Sequence, residues 1–566
     1  MSGCKARDKK VTMIKINEAR KVHYRKQGFW GDATLADYWR LAAKAFADKQ
    51  AVCDNHGTHF TYRELDKAAS ILAAWMVEQG IQPGDRVALQ LPGWCEFTLI
   101  YLACLKSGAV VVPLLPAFRE SELTWILNKC QARILFTPTC FKNICYLERL
   151  PALRQFLPCL ESVVAVEKLE PAGYGITLDQ ILASYAPLAS DVPTGSDDLA
   201  ALLFTSGTEG HPKGVMLTHN NLIASERAYC ATLQLNENDT ILMPAPLAHA
   251  TGFMHGVTAP FMIGARSVLM DIFIAEQCLD ILDQEQCTCI MGATPFACDL
   301  LKAMHCREHI PSSLRFFLCG GTTIPATLIR DYHKVGIPLL SVYGSTESAP
   351  HAIVRPQDSL LRMVNTDGAA VKGVEIKVVD KKRNTLSHLA EGEEASRGPN
   401  VFVGYFNEPE LTDQALDDEG WYYSGDFCRI EKEGYIKITG RKKDIIVRGG
   451  ENISSREVED ILLQHTDIID AAVVAMPDKR LGERSCAYVT LKNSTIQMTL
   501  ADIIAFFSRR RIAKYKYPEH LVIIDKLPRT ASGKIKKFLL RKDIIQRMTL
   551  TADESENPTL DKVNAD

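Results

Sequence analysis

The sequence predicts an α/β protein in which a large N-terminal domain of parallel-rich sheets, flanked by helices, precedes a small C-terminal α+β domain. Two observations support this prediction. Short apolar runs alternate with amphipathic stretches through most of the chain, a pattern typical of parallel sheets that helices cover on both faces. The chain also has 566 residues, whereas one domain usually has about 100–200 residues.

The apolar runs of the large domain have the length of buried strands. The runs predicted as strands are 87–91, 110–115, 134–136, 202–204, 267–270, 316–318 and 339–342. Between them, segments 120–130 and 326–334 show helical apolar spacing. Near residue 440 the pattern changes, because Thr439 and Gly440 interrupt the chain after a strand-like segment at 434–438.

The remainder of the chain predicts a smaller unit with strands at 471–475, 485–491 and 521–524 and a helix at 500–509. We therefore expect one domain at 26–440 and a second at 441–545. Residues 1–25 are basic and polar and lack the apolar segment of a secretory signal, so a disordered extension is expected there. The tail 546–566 is also expected to be disordered, since it is polar and largely acidic.

Composition gives no reason to expect some classes of partner. Lys plus Arg is 65 and Asp plus Glu is 68, which gives a net charge of -3 and no basic footprint for a nucleic acid or a membrane. The 17 cysteines include no CxxC pair and indicate reduced thiols in a cytoplasmic protein. Cys287 and Cys289 could form a metal site, although buried apolar side chains are the preferred interpretation.

An uncharged stretch at 241–265 is long enough to span a bilayer. It contains Pro244, Pro246 and Pro260, which a continuous helix would not tolerate. We therefore predict no transmembrane segment and interpret the stretch as buried chain that lines an apolar cavity.

A Gly/Ser/Thr-rich loop follows the predicted strand at 202–204. Small hydroxyl residues and glycines let backbone N–H groups approach phosphate oxygens, and a lysine adds positive charge. The order differs from a Walker A loop, and an ordinary turn is the alternative for such a loop taken alone. The predicted phosphate-contacting residues are Thr205, Ser206, Gly207, Thr208, Glu209, Gly210, Lys213 and Gly214.

This loop resembles the signature of the adenylate-forming superfamily, which includes acyl-CoA synthetases, peptide-synthetase adenylation domains and beetle luciferases. The resemblance continues in the expected order over nearly the whole chain, at 60–65, 84–87, 343–347, 423–426, 440–444 and 528–534. It implies an ATP- and Mg²⁺-dependent enzyme with a mobile C-terminal domain. It also implies acyl transfer to coenzyme A, because the chain is most similar to short- and medium-chain fatty-acid–CoA ligases.

The resemblance implies roles for individual nucleotide-site residues. Tyr343 would contact adenine, Glu347 and Thr205 would hold Mg²⁺, and Asp426 would accept hydrogen bonds from the ribose hydroxyls. A helix-terminal carboxylate is the alternative for Glu347, and a turn cap is the alternative for Asp426. The other implied nucleotide contacts are Gly321, Thr322, Gly344, Thr346, Arg441 and Lys534.

Lys534 is the principal catalytic candidate, together with Thr205 and Glu347. The first step brings a carboxylate anion to an anionic α-phosphate, and a lysine between them would stabilise the charge of the transition state. A solvated lysine beside Lys536 and Lys537 is the alternative. The resemblance also assigns Lys443 as the hinge about which the small domain rotates between adenylation and thioester formation.

Residues for coenzyme A and for the acyl group are implied in the same way. The expected coenzyme A contacts are Gly449, Gly450, Glu451, Tyr517 and Pro518, with Lys514, Lys516 or Arg480 on its phosphates. The expected acyl pocket and gate are His249, Thr251, Gly252, Gly320 and Val342, although a buried structural histidine is an equal alternative for His249.

The substrate is expected to be an apolar monocarboxylate, because segments 248–265, 320–323 and 342–344 contain no Lys, Arg or Asp. A cyclic or aromatic acid, a separate carrier protein as acceptor, and a non-catalytic nucleotide-binding protein remain as alternatives. Weak peripheral membrane contact and a homodimer also remain open.

Overall fold

The parallel strands predicted from the apolar runs are present in a computed structural model of the chain. It describes residues 16, 18–166, 175–205, 212–322, 324–449, 451–478, 480–493, 495–510, 513–530 and 533–555. The described residues form two compact units. The first consists of the described residues within Met1–Lys377, Ala395–Ser424 and Ile430–Lys437, and the second of those within Val378–Glu394, Gly425–Arg429 and Ile438–Asp566.

The strands are numbered in chain order. They are β1 Gln50–Asp54, β2 His59–Thr61, β3 Arg86–Leu89, β4 Val110–Pro113, β5 Ile134–Pro138, β6 Cys140–Phe141, β7 Ile144–Cys145, β8 Ser162–Val166, β9 Ile176–Thr177, β10 Leu199–Thr205, β11 Lys213–Thr218, β12 Thr240–Met243, β13 Arg266–Leu269, β14 Cys289–Gly292, β15 Phe316–Gly320, β16 Leu339–Ser345, β17 Ala349–Ile353, β18 Ala369–Ala370, β19 Glu375–Val379, β20 Gly392–Arg397, β21 Tyr422–Ile430, β22 Ile436–Arg441, β23 Ile445–Arg448, β24 Glu451–Ser454, β25 Ile468–Asp478, β26 Gly482–Leu491 and β27 His520–Ile523.

The helices are numbered in the same way. They are α1 Glu18–Lys26, α2 Leu35–Ala45, α3 Tyr62–Glu78, α4 Cys95–Ser107, α5 Glu120–Cys130, α6 Leu150–Arg154, α7 Leu178–Ser184, α8 His219–Leu233, α9 Ala259–Ile263, α10 Ala275–Gln284, α11 Thr294–Cys306, α12 Ala326–Lys334, α13 Leu360–Asn365, α14 Pro409–Ala415, α15 Ser455–Leu462, α16 Leu500–Arg509 and α17 Lys537–Ser555.

Two large sheets organise the first unit. One has the strand order β18-β17-β16-β15-β14-β12-β13-β1-β2, and the other has the order β11-β10-β4-β3-β5-β8-β9. The central pairs of both sheets are parallel, whereas β2, β11, β17 and β18 pair in the antiparallel direction. Because parallel strands end at one edge, the loops that follow β12, β14, β15 and β16 share an edge of the first sheet.

Helix α8 illustrates how the sequence sets an element boundary beside a candidate site. Thr218 caps the helix by accepting the Asn221 N–H, and the Asn221 side chain bonds back to the Thr218 N–H. This reciprocal capping satisfies two donors that the first helical turn leaves open. The helix therefore starts directly after β11, with no loop between the strand and the helix.

The second unit contains a smaller antiparallel-rich sheet in the order β24-β23-β26-β25, with β27 paired in parallel to β26. Helices α15 and α16 contribute Val458 and Phe507 to its core. A further sheet has the order β19-β20-β21-β22, and the division between the two units falls within these four strands.

The predicted α/β class is confirmed, and the bounds of α5, α12 and α16 match the predicted helices. The expected disorder does not extend to residues 18–25, which lie in α1, because Tyr24 is buried against Trp30 and Ala224. The disorder that was expected from residue 546 onward is also absent at 546–555, where α17 continues to Ser555. The predicted domain limits at 26–440 and 441–545 stay a prediction.

The uncharged stretch at 241–265 is interrupted, as its prolines predict. It forms β12, then a π-helix at Gly252–Thr258, then α9, and its π-helical residues are all buried. Among the described helices, none combines the length and the apolar character that crossing a membrane requires.

His219 should make the stability of the first unit depend on pH. It is 3% exposed, and its Nδ1 accepts the Leu35 N–H at 3.2 Å. Burial lowers its pKa from 6.5 to about 4. Between these two pH values the unfolded chain binds a proton at His219 and the folded chain does not. The free energy of unfolding therefore decreases as the pH falls from about 6.5 to about 4.

We expect the wild-type protein to lose about 2 kcal/mol through this residue between about pH 7 and about pH 5. The His219→Asn variant keeps an acceptor for Leu35 but does not titrate, so its thermal unfolding midpoint should fall less over that interval. The exposed His305, changed to Asn, is the matched control. Parallel pH profiles for wild type and His219→Asn would contradict the prediction.

Candidate functional site

Strands β10 and β11 hold the two ends of the predicted phosphate loop. They pair in the antiparallel direction, with Thr205 opposite Lys213. Ser206, Gly207, Thr208, Glu209 and Gly210 lie outside the described residues. Thr205 and Lys213 therefore lie on either side of the undescribed part of the loop, and β11 is the edge strand of the second large sheet.

Glu347 lies on the tight turn between β16 and β17. Gly344 enters this turn so closely that a Cβ there would lie 2.1 Å from the Ala349 carbonyl oxygen, which explains the need for glycine. The Ser345 and Ser348 hydroxyls are 3.1 Å apart across the turn. Contacts within the turn therefore hold the backbone of Thr346 and Glu347 in place. Both residues are partly exposed.

An extended segment at 402–406, here named the bridging segment, connects this turn to the phosphate loop. The Phe402 N–H donates to the Glu347 carbonyl at 2.7 Å. The Met216 N–H on β11 donates to the Gly404 carbonyl at 3.0 Å. The backbone that carries Glu347 is therefore joined through one short segment to the strand that follows the phosphate loop.

The side chain of Tyr405 makes a second connection. Its hydroxyl donates to Glu347 Oε1 at 2.9 Å, and Lys213 Nζ lies 5.1 Å from the centre of its ring. Burial, followed by the nearby Glu347 charge, raises the pKa of Tyr405 far above its usual value. The hydroxyl consequently remains a hydrogen-bond donor to the carboxylate.

The predicted adenine and acyl residues meet at the carboxyl ends of β15 and β16. Gly320 is in register with Val342, and a Cβ on Gly320 would lie 2.7 Å from the Val342 side chain. Tyr343 is partly exposed and contacts His351 edge-on, with ring centroids 5.0 Å apart. Gly321 adopts the left-handed conformation at φ 84°, next to Thr322.

His249 lies at the start of the helical turn that leads into the π-helix. Its Nδ1 accepts the Thr251 N–H at 3.5 Å, and its carbonyl accepts the Phe253 N–H at 2.9 Å. Gly252 is required next to it, because a Cβ there would lie 2.3 Å from the Pro246 carbonyl oxygen. His249 is partly exposed, and its role as a gate stays a prediction.

In the second unit, Asp426 and Arg441 form an ion pair with a distance of 2.7 Å between Oδ1 and Nε. Asp426 is nearly buried, whereas Arg441 is exposed. Lys443 follows in a short 3₁₀ turn at Lys442–Asp444 between β22 and β23. It is exposed, and its carbonyl accepts a hydrogen bond from Arg541 at 3.1 Å.

Lys534 lies on a turn whose two arms are held together. Arg529 forms an isolated β-bridge with Ile535, and its guanidinium donates to the Gly533 carbonyl at 2.6 Å. The Lys534 N–H donates to the Thr530 hydroxyl at 3.1 Å. Gly533 has φ 81°, so the residue before Lys534 needs the conformational freedom of glycine.

The predicted coenzyme A residues are distributed between two parts of the second unit. Gly449 and Glu451 lie near β24, Gly450 lies outside the described residues, and Tyr517 and Pro518 precede β27. Lys516 forms an ion pair with Glu457 at 2.6 Å, which raises its pKa despite burial. Lys514 and Arg480 are exposed, so they are better suited than Lys516 to meet a phosphate.

The chemistry of Glu347 fits a magnesium ion. Mg²⁺ is usually held by one or two carboxylates and by substrate phosphates rather than by a cage of protein ligands. In the described part of the chain, no group of three or more His, Cys, Asp or Glu side chains could hold a metal ion. Glu347, with the Thr205 hydroxyl, therefore fits an ion shared with nucleotide phosphates, and Cys287 and Cys289 are both buried free thiols.

Sequence reasoning missed Tyr405, His351 and Thr294. Thr294 accepts a hydrogen bond of 2.9 Å from the Thr322 hydroxyl, and His351 contacts Tyr343. Tyr405 is separated from Glu347 by 58 positions. No local pattern signals such a contact, although the position of Gly404 and Tyr405 after an apolar run was a weak sign of an ordered segment.

Comparisons with known proteins agree with the ordered motifs. The family model described as AMP-binding enzyme matches residues 39–406, and the AMP-binding enzyme C-terminal domain matches residues 457–534. The medium-chain fatty-acid–CoA ligase of Escherichia coli (strain K12) is 64% identical over 540 residues, which are 95% of this chain and 95% of that protein.

Two further comparisons extend the same relationship. The 2,3-dihydroxybenzoate-AMP ligase of Bacillus subtilis (strain 168) is 31% identical over 529 residues, which are 93% of this chain and 96% of that protein. The crystal structure of an anthranilate CoA ligase in complex with anthranoyl-AMP has a TM-score of 0.83 and 25% identity, and the match covers 92% of this chain and 98% of that chain. The chain therefore belongs to the family of AMP-binding enzymes, the adenylate-forming superfamily that its motifs resemble.

Proposed function

We propose that this protein is an AMP-forming fatty-acid–CoA ligase that activates a short- or medium-chain fatty acid. The observation that carries the proposal is the 64% identity, over 95% of the chain, to a medium-chain fatty-acid–CoA ligase. The reaction consumes ATP, uses Mg²⁺ and forms an acyl-adenylate with release of pyrophosphate. The acyl group then passes to coenzyme A, and AMP is released.

Residues of the first unit would bind the nucleotide during adenylation. Thr205 and Lys213 would contact phosphate oxygens, and Tyr343 would lie against the adenine. Glu347 would hold the magnesium ion, which neutralises charge on the ATP phosphates when it is bound. The ordered geometry of the β16–β17 turn supports this role, since preorganised groups lower the barrier without reorganising during the reaction.

Residues of the second unit would complete both half-reactions. Asp426 would accept the ribose hydroxyls, Arg441 would contact the nucleotide, and Lys534 would stabilise the charge that develops as the carboxylate attacks the α-phosphorus. The turn at Lys443 would then change conformation so that coenzyme A replaces Lys534 at the adenylate. Gly449, Glu451, Tyr517 and Pro518 remain the proposed contacts for coenzyme A.

The nature of the acid rests on the acyl segment. Residues 248–265 contain no charged side chain, so no partner is present there for a second carboxylate or for an amino group. This supports an apolar monocarboxylate. The name of the 2,3-dihydroxybenzoate-AMP ligase shows that an aromatic acid occurs among the relatives. A series of straight-chain acids, compared with benzoate, distinguishes an apolar fatty acid from an aromatic acid as the substrate.

A cytoplasmic location is also proposed. The cysteines that the structure describes carry free thiols, many of them buried. Proteins of oxidising compartments usually use such residues in disulfides, so the free thiols support a reducing compartment.

Pyrophosphate release should depend on Lys534 and on the length of the acid. We expect turnover with Mg-ATP and coenzyme A to peak at one length in a series of straight-chain acids from acetate to palmitate, with benzoate as the aromatic comparison. The Lys534→Ala variant should lose adenylation by about 10²-fold or more. Lys536→Ala is the matched control, since it removes a neighbouring lysine that has no proposed role.

Turnover of the Lys534→Ala variant at the wild-type rate would exclude the catalytic role of that lysine. One stoichiometric release of pyrophosphate that coenzyme A does not restart would retain the adenylate but require another acceptor. No release with any acid would overturn the ligase proposal.

His249 should affect the second half-reaction more than the first. The His249→Ala variant is expected to form acyl-adenylate within about two-fold of the wild-type rate and thioester about ten-fold more slowly, because a misplaced acyl site impairs attack by the thiol. Single-turnover assays of pyrophosphate and acyl-CoA measure the two steps. His249→Phe, which keeps a planar ring, should retain more thioester formation than His249→Ala, and equal loss in both steps would contradict the gate.

A further inference from the structure

We propose that Tyr405 is a positioning residue that fixes the Glu347 carboxylate and the Lys213 ammonium relative to each other. This inference rests on the proposed function, in which Glu347 holds magnesium and Lys213 contacts phosphate. No contact between Tyr405 and the reacting atoms is part of this proposal. It acts through two groups of opposite charge, and the sequence motifs did not identify it.

The hydroxyl of Tyr405 determines which carboxylate oxygen of Glu347 is available. It donates to Oε1 at 2.9 Å, which restrains rotation of the carboxylate about its last bond. The other oxygen is then oriented for a cation. A hydrogen bond from a neutral donor to a carboxylate is stronger than one between neutral groups, so a single hydroxyl can select this orientation.

The ring of Tyr405 has a separate role. The ammonium of Lys213 lies 5.1 Å from the ring centroid, within the range of a cation–π interaction. An unbranched lysine side chain has many rotamers, and the ring favours those that place the charge above Tyr405. The lysine is thereby held near the phosphate loop before a nucleotide arrives.

The backbone around Tyr405 is restrained on both sides, which is necessary if the residue is to position others. Its N–H donates to the Thr412 hydroxyl at 2.9 Å, and Val215 forms an isolated β-bridge with it. The Phe406 N–H donates to the Gly214 carbonyl at 2.8 Å. Tyr405 is 6% exposed, so solvent does not compete for its hydroxyl.

The Tyr405→Phe variant separates the two roles, because it removes the hydroxyl and keeps the ring. We expect calorimetric affinity for ATP to fall about ten-fold in the presence of Mg²⁺. Affinity for ATP in EDTA should change less than about two-fold, since the contact of Lys213 with the ring remains. The Mg²⁺ concentration that half-saturates pyrophosphate release should rise by a similar factor.

The Tyr405→Leu variant also removes the ring. Affinity for ATP in EDTA should fall as well, because Lys213 is no longer restrained. Tyr62→Phe is the matched control, since Tyr62 is buried and donates to the Ala265 carbonyl at 2.7 Å, away from these residues. Thermal unfolding of each variant shows whether a loss of binding reflects a loss of fold.

Equal losses with and without Mg²⁺ in Tyr405→Phe, or no loss in either, would overturn the positioning role. Failure of the proposed function gives a different result. In that case, the wild-type protein itself would show no Mg²⁺-dependent binding of ATP or no acyl-CoA formation.

A separate observation concerns Cys140 and Cys145, which lie opposite each other on the hairpin formed by β6 and β7. Their sulfur atoms are 3.1 Å apart, and both residues are partly exposed. The Tyr146 N–H donates to the Thr139 carbonyl at 3.0 Å, so the cysteines occupy a pair without ladder hydrogen bonds, where side chains approach closely.

The turn of this hairpin preserves the alignment of the cysteines. Lys142 and Asn143 both have positive φ, at 51° and 60°, as a two-residue turn of type I′ requires. Phe141 is buried and contacts Trp94 edge-on at 5.9 Å, which anchors the hairpin to the core. We infer that Cys140 and Cys145 are a modification site that closes to a disulfide by exchange with a low-molecular-weight disulfide.

The exchange is balanced with glutathione disulfide as the oxidant. One cysteine thiolate attacks a sulfur of glutathione disulfide, forms a mixed disulfide and releases one glutathione. The second cysteine then attacks the protein sulfur of that mixed disulfide and releases the second glutathione. The two cysteine protons end on the released glutathione thiols, so two protein thiols are oxidised and one glutathione disulfide is reduced.

Peptide mass analysis tests this inference: the full chain is incubated with glutathione disulfide, its remaining free thiols are blocked, and it is digested without reduction. We expect the Cys140–Cys145 peptide to lose the mass of two hydrogens, whereas the exposed Cys306 should gain a glutathione. The Cys140→Ser variant should retain a glutathione on Cys145, because the resolving thiol is absent. The inference is wrong if both cysteines stay reduced, or each carries a glutathione, when Cys306 is modified.

Discussion

The hydrogen bonds of the bridging segment are the constraint on which the proposed nucleotide residues of the first unit depend. The segment pairs with Glu347 through Phe402 and with β11 through Gly404 and Phe406. The two large sheets each contribute a polar loop, and neither sheet alone determines the distance between those loops. The bridging segment therefore links the turn that carries Glu347 to β11 by backbone hydrogen bonds, and it joins the two loops that form the proposed nucleotide site.

Charge in the second unit is distributed in a way that separates neighbouring lysines by role. Lys537 forms an ion pair with the partly exposed Glu459 at 2.7 Å, and desolvation raises the pKa of that carboxyl against the opposing effect of Lys537. Lys537 is thus part of the packing of α17 on α15. Lys534, three positions earlier, lies on the turn held by Arg529. The same short basic sequence therefore supplies one lysine to the fold and one to the proposed chemistry.

Local patterns were sufficient to predict the α/β class and several of the buried strands and amphipathic helices. Apolar runs identified β4 and β16, and apolar spacing identified α5 and α12, because burial imposes a period that the sequence must follow. Contacts across long sequence separation were not predictable in this way. The hydroxyl of Tyr405 reaches a carboxylate 58 positions away, and its position depends on how β11 and the bridging segment pair.

The wrong prediction of disorder at the start of the chain also arises from a tertiary contact that local sequence does not reveal. Polar composition near residue 20 suggested disorder, but the helix α1 is stabilised by tertiary contact of Tyr24 with Trp30 rather than by its own sequence. Composition reports how much apolar surface a segment has, and it does not report whether another segment provides a surface for it. Tyr24 packs this segment against Trp30 and Ala224, and the ion pair of Arg25 with Asp197 is a second tertiary contact.

The ion pair between Asp426 and Arg441 has a consequence for how a nucleotide would enter. If Asp426 accepts the ribose hydroxyls, the guanidinium must yield part of the carboxylate, so binding is an exchange of partners rather than a simple addition. The net gain is then the difference between two contacts of similar strength. Added salt would weaken the ion pair more than the neutral hydroxyl contacts, and the ribose contribution to affinity would increase as ionic strength rises.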